Sequence, residues 1–421
     1  MSVLLGCIGD DFTGSTDLAS FLVASGMRTI QLTGLPDSTY DFPDVDAAVI
    51  SLKSRTQEPR GAVADSLRAL AWLRSLGCRQ YYFKYCSTFD STDKGNIGPV
   101  ADALLDALGE RFTIACPALP VNGRTVYNGY LFVNGVPLNE SGMEHHPLTP
   151  MTDANLVRVL GRQTQGSVGL VAQATVSMGA EAIRKRYDEL ARSHRYAVVD
   201  ALTSRDLMEI GHASGEMKLL TGGSGLAMGL ADNFEKKGLF VKSPQAARLD
   251  PVEGDALILS GSCSRATLEQ VAVFADAHPV LKLDPLALHR GSQTPEGVMQ
   301  WFETHRRQGP LMVYATDHPE GVRRCQEALG VEGTGTIVEK AFSEIARMAA
   351  ERGVARFIVA GGETSGAVVQ ALGVRAIQIG PPIAPGVPVT RALGEKPLLL
   401  ALKSGNFGGR DFFARALAMM G

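Results

Sequence analysis

The sequence predicts an α/β protein of two domains, each with a mostly parallel sheet flanked by helices. Short apolar runs rich in Val, Ile and Leu recur along the chain, for example residues 3–8, 47–52 and 357–360. Strands buried on both faces read this way. Stretches with helical spacing alternate with them, such as 59–76 with Leu67, Leu70, Trp72, Leu73 and Leu76. The length of 421 residues exceeds one ordinary core.

Composition narrows the function classes. Hydrophobic residues make up 45% and charged residues 20% of the chain, as in a soluble globular protein. A formal net charge of −3 argues against a nucleic-acid partner but leaves a small anionic substrate open. Six cysteines are scattered without a CxxC pair, which reads as reduced thiols rather than zinc ligands. Acidic Asp10 and Asp11 directly follow the first apolar run, unlike a secretory leader. No apolar run approaches the roughly 20 residues that span a bilayer. A cytoplasmic protein without a membrane partner is expected; self-association into a homo-oligomer stays open.

Taken in order, strand 3–8 delivers Gly9-Asp10-Asp11-Phe12-Thr13-Gly14, and a helix with Leu18, Phe21, Leu22 and Ala24 runs to Gly26. Ligands of open α/β sheets bind at the carboxyl ends of strands. Adjacent carboxylates there repel one another and need cations, donors or water. The plainer alternative is a helix cap by Asp11 with a solvated Asp10. Strand 47–52 delivers Lys53-Ser54-Arg55, and strand 80–85 leads into Cys86-Ser87-Thr88. Arg55 offers a planar fork and Lys84 a point charge, which with Ser87 and Thr88 suits a small acid. Lys53 reads as a solvated surface residue.

After a strand at 112–115, residues 116–151 are irregular, with a hairpin turning at Asn134-Gly135. So long an insertion contacts or covers a site. It carries Arg124, Tyr127 and the pair His145-His146, read as a packing or substrate-contacting loop rather than a metal site. Alternation resumes at 168–172, 196–200 and 218–221. The last strand leads into Gly222-Gly223-Ser224-Gly225 and a helix from Leu226, a mainly structural turn because no Arg or Lys stands beside it.

Residues 235–254 lose periodicity and collect charge, proline and glycine, as linkers do. The expected domains are therefore 1–235 and 255–421, joined by 236–254. In the second, three strands each end in a Gly/Ser loop: Ser260-Gly261-Ser262, Gly361-Gly362-Glu363-Thr364-Ser365 and Lys403-Ser404-Gly405. In the middle one, Thr364 or Ser365 would cap a helix with Ala367, Val368, Ala371 and Leu372 inward. Backbone N–H groups at such a turn attract anions. No Walker or dinucleotide fingerprint is present. If the strands are parallel neighbours, the loops cluster and favour a phosphate-rich ligand such as a nucleotide. Asp317 and Glu363 stand where they would assist a metal on that phosphate.

The residues assembled here resemble the four-carbon acid sugar kinases over nearly the whole chain. The matching segments are Gly9–Gly14, Ser51–Arg55, Lys84–Thr92, Pro117–Thr125, His146–Met151, Gly361–Gly366 and Lys403–Gly408. The resemblance implies an N-terminal sugar-acid domain and a C-terminal nucleotide domain. It implies ATP-dependent phosphorylation of the terminal hydroxyl of a C4 sugar acid in sugar-acid catabolism, 3-dehydrotetronate at O4 foremost, with threonate or erythronate as alternatives. The family's ATP contacts would fall on Ser260, on Gly362 to Ser365 and on Gly405. In the mechanism expected, these loops and Mg²⁺ hold the triphosphate, and Arg55 and Lys84 hold the acid. Asp11, or Asp10, takes the hydroxyl proton. Two rivals are an aldolase or epimerase using Lys84, and a non-catalytic sugar-acid and nucleotide sensor.

Overall fold

The computed structural model describes residues 3–36, 44–90, 92–145, 149–394 and 396–421. The chain divides into two compact units, Met1–Ala247 and Arg248–Gly421. Ser91 and His146 lie outside the described residues.

The first unit holds strands β1 (Leu5–Gly9), β2 (Thr29–Thr33), β3 (Ala47–Ser51), β4 (Gln80–Lys84) and β5 (Thr113–Cys116). A small antiparallel sheet of β6 (Arg124–Tyr127), β7 (Tyr130–Val133) and β8 (Val136–Pro137) follows. Strands β9 (Val168–Val171), β10 (Tyr196–Val199) and β11 (Leu219–Gly222) complete the unit. Its main sheet runs β2-β3-β1-β4-β11-β5-β10-β9, all parallel. Every residue of β1, β3, β4 and β5 is buried, which suits their largely apolar sequence; the polar exceptions, such as Gln80 and Lys84 of β4, sit at strand ends. Register places Gly9 opposite both Ser51 and Lys84, so the loops after β1, β3 and β4 leave the sheet side by side.

The second unit holds β12 (Asp255–Ser260), β13 (Val280–Lys282), β14 (Leu311–Tyr314), β15 (Val354–Ala360), β16 (Ala376–Ala384), β17 (Val387–Leu393) and β18 (Leu399–Lys403). The order is β13-β14-β12-β15-β18-β17-β16. The first five are parallel, and the hairpin β16–β17 continues antiparallel. The three strands with Gly/Ser loops are thus parallel neighbours in the order β12-β15-β18. Ser260 pairs with Ala360, and Ala360 with Lys403.

Four local expectations change. The turn at Gly222 does not run into a helix from Leu226: a single 3-10 turn spans Ser224–Ala227, and the helix starts at Leu230. Cβ atoms at Gly222 and Gly223 would collide with the Cys116 and Pro117 carbonyl oxygens, so this backbone lies flat on the β5 loop. The helix after β15 begins at Gly362 with Gly361 as its N-cap. Thr364 and Ser365 do not cap it: they sit in its first turn and, with Val368 and Val369, form the buried face. The helix Phe12–Ala24 buries Ala19 and Val23 with Leu18 and Leu22, while Ala24 is exposed. The helix Pro59–Ser75 buries Ala62, Ser66, Ala69, Leu70 and Leu73, leaving Trp72 half-buried.

Candidate active site

In the first unit, strand ends gather a compact charge cluster. Asp11 is the N-cap of helix Phe12–Ala24, accepting from the Gly14 N–H at 3.2 Å and the Thr13 hydroxyl at 3.0 Å. It does more than cap. Arg55 donates to Asp11 Oδ1 at 2.7 Å, and Lys84 Nζ lies 3.3 Å from the same oxygen. Asp10 is not solvated: it is buried, and the Arg55 fork grips both its oxygens at 2.9 Å. Two carboxylates and two cations from β1, β3 and β4 thus neutralise one another where a ligand would sit.

The two carboxylates are driven apart. Burial would raise both. For Asp10 burial wins over Arg55, and its carboxyl titrates above the usual range. For Asp11 the Arg55 and Lys84 charges, with the Gly14 and Thr13 bonds, outweigh burial and hold it well below that range. Lys84, with a side chain only 5% exposed, would be lowered by burial, but Asp11 and Asp10 raise it, so it stays a cation.

Other predicted residues fall beside the cluster. Ser87 is half-buried; the Thr88 hydroxyl is taken up locally by Asp90 and by Cys86, 2.9 Å away. Lys53 is exposed, as expected. His145 is exposed, with its ring 3.9 Å from the Glu144 carboxylate. Among the described residues no group of three His, Cys, Asp or Glu could hold a metal ion. All six cysteines are free thiols.

Two residues received no role from the sequence. Gly14 leaves the space through which Lys84 reaches Asp11; a Cβ there would overlap Lys84 Nζ and Asp11 Oδ1. A glycine in a helix interior ordinarily marks only a propensity cost, and that is the signal that was available. Asp17 is buried and accepts from the Ser224 hydroxyl, within electrostatic reach of Lys84, Asp11 and Arg124. Burial raises its carboxyl above the usual range despite these partners.

In the second unit the chemistry is different. Gly361, at φ +125°, needs its glycine; Gly362 has no left-handed φ and open space around its Cβ position. The demand for glycine thus falls on the N-cap, Gly361, and not on Gly362. The three loops mesh: Cβ atoms would drive Gly261 into Thr364 Oγ1 and Gly405 into Ser262 Oγ. The Ser260 hydroxyl is buried against Thr316 Oγ1 at 2.7 Å, and Ser365 Oγ is buried with no partner among the described residues. Beside these loops opens a cavity of about 260 Å³ lined by Gly261, Cys263, Asp317, Val322, Glu363 and Thr364, among others. Asp317 pairs with Lys282 at 3.0 Å.

Lys403, at the end of β18, is fully buried, and among the described residues no carboxylate pairs with it. Its ammonium donates to Thr267 Oγ1 at 2.8 Å and to the Gly405 carbonyl at 2.9 Å. The Ser264 and Thr267 hydroxyls donate to the same carbonyl. Burial pulls Lys403 down to about 8. An uncompensated cation, an orphaned hydroxyl and interlocked glycine turns beside a cavity fit a polyanionic ligand.

Comparison with known proteins bears on both units. Residues 5–230 match a family model described as a sugar-binding N-terminal domain, and residues 257–413 a nucleotide-binding C-terminal domain. The 3-oxo-tetronate kinase of Cupriavidus necator is 54% identical over 99% of this chain and 97% of its own length. The chain belongs to the four-carbon acid sugar kinase family. The family's member in Haemophilus influenzae, also named 3-oxo-tetronate kinase, is 47% identical over 99% of this chain and all of its own. A crystal structure from Haemophilus influenzae superposes with a TM-score of 0.82 at 47% identity, covering 99% of this chain and 100% of that one. One from Salmonella typhimurium, solved under a tRNA synthase name, gives 0.89 at 46% identity over 98% of each chain. No helix among the described residues is long and apolar enough to cross a membrane.

Proposed function

We propose that this protein transfers the γ-phosphoryl group of ATP to the terminal, C4 hydroxyl of a four-carbon sugar acid, with 3-oxo-tetronate as its preferred acceptor. The observation that carries the reading is the convergence of Arg55, Lys84, Asp10 and Asp11 at three adjacent strand ends, in the unit that matches a sugar-binding domain.

Phosphoryl transfer asks a protein mainly to position its substrates and neutralise charge. Residues 1–235 would bind the acid, and residues 255–421, beyond the linker at 236–254, the nucleotide. Arg55 and Lys84, already fixed by carboxylates, would donate their remaining hydrogens to substrate oxygens beside Ser87 and Thr88. Asp11 has the more accessible carboxylate, 26% exposed against 7% for Asp10, and would accept the hydroxyl proton; Asp10 is the alternative. The O–H bond breaks as the new O–P bond forms, and ADP leaves with the electrons of the old P–O bond. Ser260, Gly361, Gly362, Glu363, Thr364, Ser365 and Gly405 would line the phosphate path. Mg²⁺ bound with ATP would neutralise phosphate charge, and Asp317 and Glu363, both on the cavity wall, would stand near it as carboxylates beyond its direct ligands.

An aldolase using Lys84 would need an uncharged amine, and Lys84 is held as a cation. ADP release with ATP and each of 3-oxo-tetronate, threonate and erythronate tests the proposal. Acid-dependent ADP, fastest with 3-oxo-tetronate, is expected. Release no faster than with ATP alone for all three would overturn the kinase reading and leave a sensor.

A further inference from the structure

The cluster at β1, β3 and β4 leaves one chemical requirement unmet. A sugar acid brings a carboxylate, yet Arg55 is engaged by two carboxylates and Lys84 by one. A cation already so matched has little uncompensated charge to give. Lys53 is exposed and carries no structural support.

Arg124 is the contrasting case. It is half-buried, and the only hydrogen bond its side chain makes among the described residues is from Nη1 to the Asn122 carbonyl at 2.6 Å. It pairs with no carboxylate there, and its Nε is buried without a partner. Orphaned buried donors call for an explanation, and a bound acceptor is one.

Its backbone is held from two sides. Arg124 and Leu119 exchange N–H···O bonds at 2.9 and 3.1 Å, and Arg124 pairs with Val133 across the β6–β7 hairpin. The glycine turn after β11 presses on the β5 loop from beneath. Sheet order places the β5 loop on the same carboxyl edge, in the sequence β3-β1-β4-β11-β5. The buried Asp17–Ser224 pair, from the elements after β1 and β11, has Lys84, Asp11 and Arg124 all within electrostatic reach of Asp17.

We propose that Arg124 takes the carboxylate of the sugar acid, with Asp17 and Ser224 spanning the distance to the Asp11–Lys84 end where the terminal hydroxyl reacts. Arg124 is thereby the residue that selects an acid over an uncharged sugar. The planar fork suits a carboxylate, and a free guanidinium on rigid backbone loses little on binding. The inference rests on the sugar-acid kinase reading above.

The test uses the full chain with 3-oxo-tetronate. Hydrogen bonds to a charged group are worth roughly 1.5–3 kcal/mol, which converts to about a 10- to 100-fold change. Arg124→Gln is expected to raise KM for the acid by that factor, with kcat within about threefold and KM for ATP unchanged. Calorimetric binding of the acid without ATP should weaken in parallel. Arg124→Lys, which keeps the charge, should recover part of the loss. An unchanged KM for the acid, a fall in kcat alone, or a Lys variant no better than Gln would overturn the assignment, as would loss of the folded state in both variants. If the wild-type protein releases no ADP with any of the three acids, the kinase reading itself fails and this assignment with it. If it does, and Arg124→Gln keeps its KM, only the role of Arg124 fails.

Discussion

The two strand-end clusters handle charge in opposite ways. In the first unit, Asp10, Asp11, Arg55 and Lys84 are paired before any substrate arrives. In the second, Lys403 is buried with hydroxyls and carbonyls but, among the described residues, no counter-ion, and the Ser365 hydroxyl has no hydrogen-bond partner there. A paired cluster is a rigid template that costs little to hold, and it can orient a weakly charged hydroxyl. An unpaired cation in a low dielectric is costly until an anion comes. The difference suits a small sugar acid on one edge and a polyphosphate on the other.

The sharpest way to break the comparison is Asp11→Asn. It removes a proton acceptor and one partner of both Arg55 and Lys84, so kcat should fall by about 10²–10⁴, with KM for ATP nearly unchanged. Steady-state kinetics decide: a raised KM for the acid at full kcat would make Asp11 a binding residue, and Asp10→Asn would then be the next variant to measure. Gly14→Ala comes second. Its methyl would overlap Lys84 Nζ and Asp11 Oδ1, so the end of the Lys84 side chain must shift, and weakening the partner of a buried cation costs about 1–3 kcal/mol. The urea midpoint should drop accordingly, and a midpoint equal to wild type would show that Lys84 is not held as described.

Lys403→Met sharpens the other side. Lys403 titrates near 8 when folded and at the ordinary lysine value when unfolded. Below pH 8 both states are protonated and the burial penalty is fully present. Between pH 8 and about 10.5 the unfolded chain binds more protons, so this group's contribution to stability rises with pH. Wild-type stability relative to the Met variant should therefore climb by about 3 kcal/mol across that window. A flat difference would mean that Lys403 has a counter-charge. The smallest effect separates two adjacent glycines. Gly361→Ala should cost about 1–3 kcal/mol through its backbone conformation. Gly362→Val should leave stability nearly intact yet raise KM for ATP if phosphate approaches there. Equal thermal shifts for the two variants would contradict the distinction.

Much of this comparison was legible in the sequence, for a physical reason. Strands buried on both faces are mostly apolar, so β1, β3, β4, β12, β15 and β18 stand out, and the candidate site residues are those at and after their carboxyl ends. What the sequence could not show is who pairs with whom. That Arg55 grips Asp10 depends on β3 lying next to β1, and Asp17 meets Ser224 across 207 positions. Nothing local encodes either. The hairpin β16–β17 also escaped, because Pro381, Pro382 and Pro388 argue against strands. The ladder accommodates them by shifting register at Pro382. Arg124 was visible only as one basic residue in a long irregular loop; its missing partners are a property of the folded chain.

The meshing of the three Gly/Ser loops has a consequence for how such a sequence can change over time. Gly261 exists against Thr364, and Gly405 against Ser262, so each glycine is small because a hydroxyl from another loop fills its place. A side chain gained at 405 is tolerable only after one is lost at 262, and the same holds for 261 and 364. Drift through this region must therefore proceed by paired steps, with the order of substitution deciding which lineages survive, and the four positions should covary across homologues although they lie as much as 143 residues apart.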